Sequence, residues 1–225
     1  MSERQSEPDS AASVYRWITV VIVTIITIDF VFVVIEGQWL SAALILIIAG
    51  LLLAPAIFRE RIPVKVPYEF QLVILIFVFA TLFLGEVRDY YARFWWWDIV
   101  LHTASGFLLG IFGFLLVYVM NENRRVNMSL RPRFVALFAF LFAVAMGAIW
   151  EIFEFTMDQV FGTDMQKPML GDPSGLTDTM WDLIVDTAGA AAITLLGWSA
   201  MRKERQSFVD AWIAKFIERN PAMFR

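Results

Sequence analysis

Residues 94–110 read "FWWWDIVLHTASGFLLG", and this stretch decides how the rest of the chain is understood. Three tryptophans lead into a carboxylate, Asp98, and His102, the chain's single histidine, follows one helical turn later. From there to Met120 the residues are almost wholly apolar, and about 20 such residues suffice to cross a bilayer. Residues at i and i+4 share a helix face. The run therefore predicts a membrane span that carries an ionisable pair at its mouth.

The whole chain supports that setting. Of its 225 residues 59% are hydrophobic and 16% aromatic, with a mean hydropathy of +0.66, whereas soluble domains are about 45–50% apolar. Six windows are apolar enough to span: Tyr15 to Ile35, Leu40 to Phe58, Phe70 to Gly85, Asp98 to Met120, Phe134 to Asp158 and Asp178 to Met201. No barrel-like alternation competes, and lipid permits few architectures besides helices and closed barrels. The fold class is all-α: a polytopic membrane protein of six transmembrane helices. Cysteine is absent, which excludes disulfides and thiolate metal sites. Basic residues form no stripe, so nucleic acid is not an expected partner. The first apolar run lacks a small-residue cleavage site and reads as a retained span.

Charge asymmetry sets the orientation. Only Arg88, Arg93 and Lys167, of 18 lysines and arginines, fall in the loops on one side; the other fifteen lie at the termini and in the alternate loops. The positive-inside rule then puts both termini in the cytoplasm. Trp39, Tyr90, Tyr91 and Trp95 to Trp97 fall at the outer boundary, where amphipathic rings anchor. Residues 1–14 read as a polar tail, 15–201 as the membrane domain, and 202–225 as a cytoplasmic tail. Within that tail Phe208, Val209, Trp212, Ile213, Phe216 and Ile217 form an apolar stripe, the mark of an amphipathic helix on the inner membrane surface.

With orientation set, the acids become informative. Eleven carboxylates, among them Glu86, Asp89, Asp164 and Asp172, crowd the outer third. Glu151, Glu154 and Asp158 are spaced i, i+3, i+7, and Asp178, Asp182 and Asp186 are spaced i, i+4, i+8. Three helices thus each carry an ionisable stripe that only a shared interior can satisfy. At 1.5 Å per residue Asp186 lies about 12 Å deeper than Asp178, where a charge costs on the order of 3 kcal/mol. Asp178 has a competing reading as a helix cap; Asp182 and Asp186 lie too far inside for that. Such a set needs protons or a cation. The candidate metal ligands are Asp98, His102, Glu151, Glu154, Asp158, Asp182 and Asp186, around magnesium, manganese, calcium or zinc. Gly106, Gly110 and Gly113 permit close helix approach in the fourth span.

At these residues a family likeness emerges. "YEF" at 68–70, "EVRDYY" at 86–91, "WDIVLHTASG" at 97–106, "WEIFEFTMDQVFGT" at 150–163 and "GLTDTMWDLIVDTAGA" at 175–190 resemble the YjdF family of bacterial inner-membrane proteins. More remotely, the order D…H…G, WE…E, D…D…GA is similar to the VanZ-like superfamily, some members of which alter glycopeptide susceptibility. Where a VanZ-like protein shows glutamate then glutamine, this chain has Glu151 and Glu154. The resemblance implies an inner (plasma) membrane location and no particular reaction.

Three function classes fit. In the first, a metal-dependent hydrolase or transferase acts on a lipid-linked or phosphate-bearing substrate. Asp98, His102, Glu151 and Asp182 then do the chemistry, and Arg88 and Arg93 pair with phosphate oxygens. The second is a proton- or cation-coupled transporter, for which the cytoplasmic halves of the spans offer little polar lining. The third is a membrane scaffold with a structural cation site.

Overall fold

The computed structural model describes residues 10–58, 61, 64–122, 130–202 and 208–221. Among them every regular element is helical, with one isolated bridge between Met169 and Asp172. The helices are α1 (Ser10–Ile35), α2 (Trp39–Ile57), α3 (Tyr68–Val78), α4 (Tyr90–Arg93), α5 (Trp97–Glu122), α6 (Pro132–Phe161), α7 (Leu176–Arg202) and α8 (Phe208–Arg219). They belong to two compact units, residues 1–94 with 218–220, and residues 95–217 with 221–225.

In the first unit α1, α2 and α3 pack on Ile22, Ile26 and Val33 of α1 and Ala42, Ile45, Ile48 and Leu52 of α2. Helix α3 continues through wider π-type turns over Phe79–Val87, so one helical rod runs from Tyr68 to Val87. The expected stop at Gly85 is therefore wrong by two residues, because the helix widens across Gly85 and Glu86 instead of ending there. At its end Arg88 reaches back to Asp29 of α1 at 2.9 Å. Asn220 accepts from the Lys65 amide at 2.6 Å and donates to its carbonyl at 2.8 Å.

Among the described residues five rods are long and apolar enough to cross a membrane: Ser10–Ile35, Tyr68–Val87, Trp97–Tyr118, Pro132–Phe161 and Leu176–Arg202; the apolar part of α2, Trp39–Pro55, is shorter. Other boundaries also differ from expectation. Ser10 to Val14, assigned to the tail, already form the first turns of α1, since Ser10-Ala-Ala-Ser holds nothing that breaks a helix. Helix α7 begins at Leu176, before Asp178, so Asp178 is not its cap. The tail residues 1–9 and several of the orienting arginines, including Arg59, Arg124, Arg125 and Arg205, lie outside the described residues.

The second unit is built inside out relative to a soluble bundle. The buried face of α6 is Ala139, Ala143, Gly147, Glu151 and Glu154, while Leu137, Leu141, Ile149, Ile152 and Phe155 are exposed. Lipid solvates large apolar side chains as well as a core does, so small residues collect where helices meet. The closest meeting is between α5 and α7. A Cβ on Gly106 would collide with the Asp186 carbonyl, and one on Gly189 with the Thr103 carbonyl. Gly113 lies against Ala139 of α6 in the same way.

Gly189→Val should force α5 and α7 apart and cost about 1–3 kcal/mol by overpacking. The expected outcome is a lower unfolding midpoint of the detergent-solubilised protein. Gly50→Ala, whose new methyl would meet nothing, should leave that midpoint unchanged.

Candidate carboxylate–histidine site

The α5–α7 contact sets His102 opposite the acidic stripe of α7. Its Nδ1 lies 3.2 Å from Asp186 Oδ2. Its Nε2 lies 3.5 Å from Asp98 Oδ1 and 3.8 Å from Asp182 Oδ2. Glu151 comes across from α6, with Oε1 3.9 Å from Nδ1. His102, Glu151, Glu154, Asp178, Asp182 and Asp186 are all buried, and Asp98 is half-buried. Four carboxylates from three helices, those of Asp98, Glu151, Asp182 and Asp186, therefore come within 3.9 Å of one imidazole.

Their surroundings separate them into distinct roles. Asp186 is fully engaged: Ser105 of α5 donates to its Oδ1 at 2.5 Å while His102 meets its Oδ2. That contact suits a hydrogen on Nδ1, while Nε2 faces Asp98 and Asp182. Gly147 makes room for this carboxylate, since a Cβ there would come within 2.7 Å of Asp186 Oδ2. Glu154 accepts from the Trp150 indole at 2.9 Å. In contrast, both oxygens of Glu151 and both of Asp182 are buried without a hydrogen-bond partner. The Thr179 hydroxyl accepts from the Gln166 side-chain amide at 2.7 Å.

Asp98, His102 and Asp182 each offer one ligand atom within 4.8 Å of the others. Two ligands about 2.1 Å from a metal at a tetrahedral angle lie about 3.4 Å apart, close to the spacings around Nε2. These three residues could hold a divalent ion, and Asp186 lies on the opposite ring nitrogen of His102.

The remaining acids organise the mouth. Asp158, expected among the ligands, is taken up by the loop after α6. It accepts from the Thr163 hydroxyl at 2.6 Å and the Met165 and Gln166 amides at 2.8 and 2.9 Å. Gly162, left-handed at φ 64°, turns the chain so that this loop can fold back. Asp178 accepts from the Lys167 amide at 2.7 Å, and the Lys167 ammonium donates to the Asp164 carbonyl. Asp172 takes the hydroxyls and amides of Ser174 and Thr177. Those bonds hold its carboxyl well below the usual carboxylate range.

The two arginines expected to bind phosphate belong to the other unit. Arg88 is paired with Asp29, so it does not stand as a free guanidinium, and Arg93 is exposed at the last residue of α4. Sequence reasoning did not single out Ser105 or Gly147 for this site. Ser105 is three residues after His102 and Gly147 four before Glu151, so spacing alone marked their faces.

Asp158→Ala should release the loop it clamps. Hydrogen–deuterium exchange is expected to quicken at the Met165 and Gln166 amides while α6 upstream of Gly147 keeps its protection.

Comparison with known proteins agrees on the membrane setting. A Thermotoga maritima protein described as uncharacterized is 28% identical over 136 residues, which cover 60% of this chain. The chain spans about 65% of the length of that curated relative. No solved structure matches. Residues 15–203 match the family model described as "Predicted membrane protein (DUF2238)", and the YjdF likeness is consistent with it. With its apolar helices and that match over most of its length, the chain is an integral membrane protein and belongs to the DUF2238 family.

Proposed function

We propose that the protein binds a divalent cation through Asp98, His102 and Asp182 and uses it in hydrolysis or transfer on a lipid-linked or phosphate-bearing substrate. The observation that carries the reading is the pair Glu151 and Asp182, whose four carboxylate oxygens are buried beside His102 without a hydrogen bond. Bare buried carboxylates are strongly disfavoured unless protonated or compensated. One cation compensates several of them at once. A bound cation supplies Lewis-acid polarisation or an activated water. Glu151 is then the neighbouring base, and Asp186 with Ser105 positions the imidazole. Magnesium, manganese, calcium and zinc all suit some subset of these ligands, and the histidine favours manganese or zinc.

The setting proposed for this site is the outer side of a bacterial inner membrane, crossed six times with both termini cytoplasmic. In support, the 19 residues of α2 extend about 28 Å, close to a hydrocarbon core of about 30 Å. The VanZ-like similarity rests on motif order alone. A carrier reading is disfavoured by what lies below Asp186. The buried face of α7 continues with Gly189, Ala190, Ile193 and Gly197, and the Thr194 hydroxyl bonds back to its own helix at the Ala190 carbonyl.

Metal analysis of the purified full-length protein tests this. The wild type is expected to retain about one equivalent, and Asp98→Asn, His102→Ala and Asp182→Asn to lose it with helix content unchanged. Asp186→Asn should weaken binding about 10–100-fold, as loss of an orienting carboxylate does. A wild type that binds no divalent metal from any buffer overturns the site. Metal without turnover of phosphate-bearing lipids leaves a structural cation site, and ion flux in liposomes replaces the enzyme with a carrier.

A further inference from the structure

At the end of the second unit remote from the carboxylates, α6 and α7 part to leave a groove of about 330 Å³. Arg133 stands in its lining beside Leu137, Phe140, Ala191, Leu195 and Trp198. Counted along α6, Arg133 is 18 residues from Glu151, roughly 27 Å, so the two sites are separate. The groove runs about 10 Å along each helix, from Arg133 to Phe140 and from Trp198 to Ala191, which is most of the depth of one leaflet.

The chemistry of the lining is sharply divided. Its one hydroxyl, on Thr194, is committed to the Ala190 carbonyl at 2.7 Å. Arg133 and Trp198 are the other lining residues that carry polar groups, and the wall of the groove itself is almost wholly apolar. A second guanidinium, that of Arg202 in the last turn of α7, lies 5.8 Å over the Trp198 ring. Two cations thus mark the polar end of an otherwise apolar channel. Such a pattern complements a molecule with an anionic phosphate at one end and a hydrocarbon chain below it. Guanidinium groups match phosphate oxygens in geometry as well as charge, and indoles favour the level of the lipid headgroups.

We propose that this groove seats one acyl chain of an anionic phospholipid of the surrounding bilayer, its phosphate held by Arg133 and Arg202. The lipid fills the gap between α6 and α7 and ties their polar ends together. This site does not depend on the metal reading.

Native mass spectrometry of the full-length protein in nonionic detergent tests the proposal with phosphatidylglycerol and phosphatidylcholine of identical chains. The wild type should retain phosphatidylglycerol preferentially. Arg133→Gln and Arg202→Gln should each reduce that preference about five-fold, the effect of one basic residue at an anionic membrane surface. Leu195→Trp, which changes an exposed residue and so leaves the fold intact, should fill the groove and displace the lipid with both arginines present. Helix content measured alongside confirms folding of each variant. Equal retention of both lipids, an undiminished preference in the double arginine variant, or phosphatidylglycerol still held by Leu195→Trp overturns the proposal. So does a dimer mass that falls on Leu195→Trp, which would make a second copy the occupant.

Discussion

The contact of backbone on backbone at Gly106 and Gly189 is the constraint on which the second unit depends. At both positions the opposing helix presents a carbonyl where a side chain would otherwise stand. Only at that separation does Asp186 reach His102 at 3.2 Å and Ser105 at 2.5 Å. Gly147 extends the same logic to α6, since the Asp186 carboxylate occupies the space its missing side chain leaves. In lipid there is no hydrophobic drive to press helices together, so close packing of small residues and shared polar groups supply the association. Here both devices act at the same level of the same helices.

That arrangement divides the acids at this end of the second unit into two kinds. Asp158, Asp172 and Asp178 accept backbone amides from the loop between α6 and α7 and serve to shape it. Glu151 and Asp182 stand deeper, and none of their four oxygens has a hydrogen-bond partner. The distinction is one of depth: near the loop, the chain's own unsatisfied N–H groups are available as donors, while inside a helix every N–H is already committed to a carbonyl. A carboxylate two or three turns into a membrane helix must therefore find its partner in another side chain, a proton or a cation. His102 and Ser105 serve Asp186, and the indole of Trp150 serves Glu154.

The two ends of the α6–α7 pair are consequently opposite in character. One end gathers buried negative charge around an imidazole. The other carries arginines above an apolar groove. Between them the buried face of α7 from Gly189 to Gly197 is apolar except for Thr194, whose hydroxyl is committed to the Ala190 carbonyl, which keeps the polar site at one end of the bundle.

Much of this was legible in the residues themselves. Hydropathy marked the spans because a bilayer demands long apolar runs whatever the fold, and helical periodicity put Asp98 with His102 and Asp182 with Asp186 on shared faces. The same periodicity assigned Asp158 to the Glu151 stripe, and there it misled, because it carries no information about a loop folding back over the helix end. Helical periodicity is equally silent on the pairing of Arg88 with Asp29, which lies across a separation of 59 residues. What the amino-acid sequence by itself determined is which side chains each helix can present to a neighbour. Which acids receive a partner and which are left bare was decided by tertiary structure alone, because it depends on the distance between helix axes, and glycines permit that approach without specifying what lies opposite.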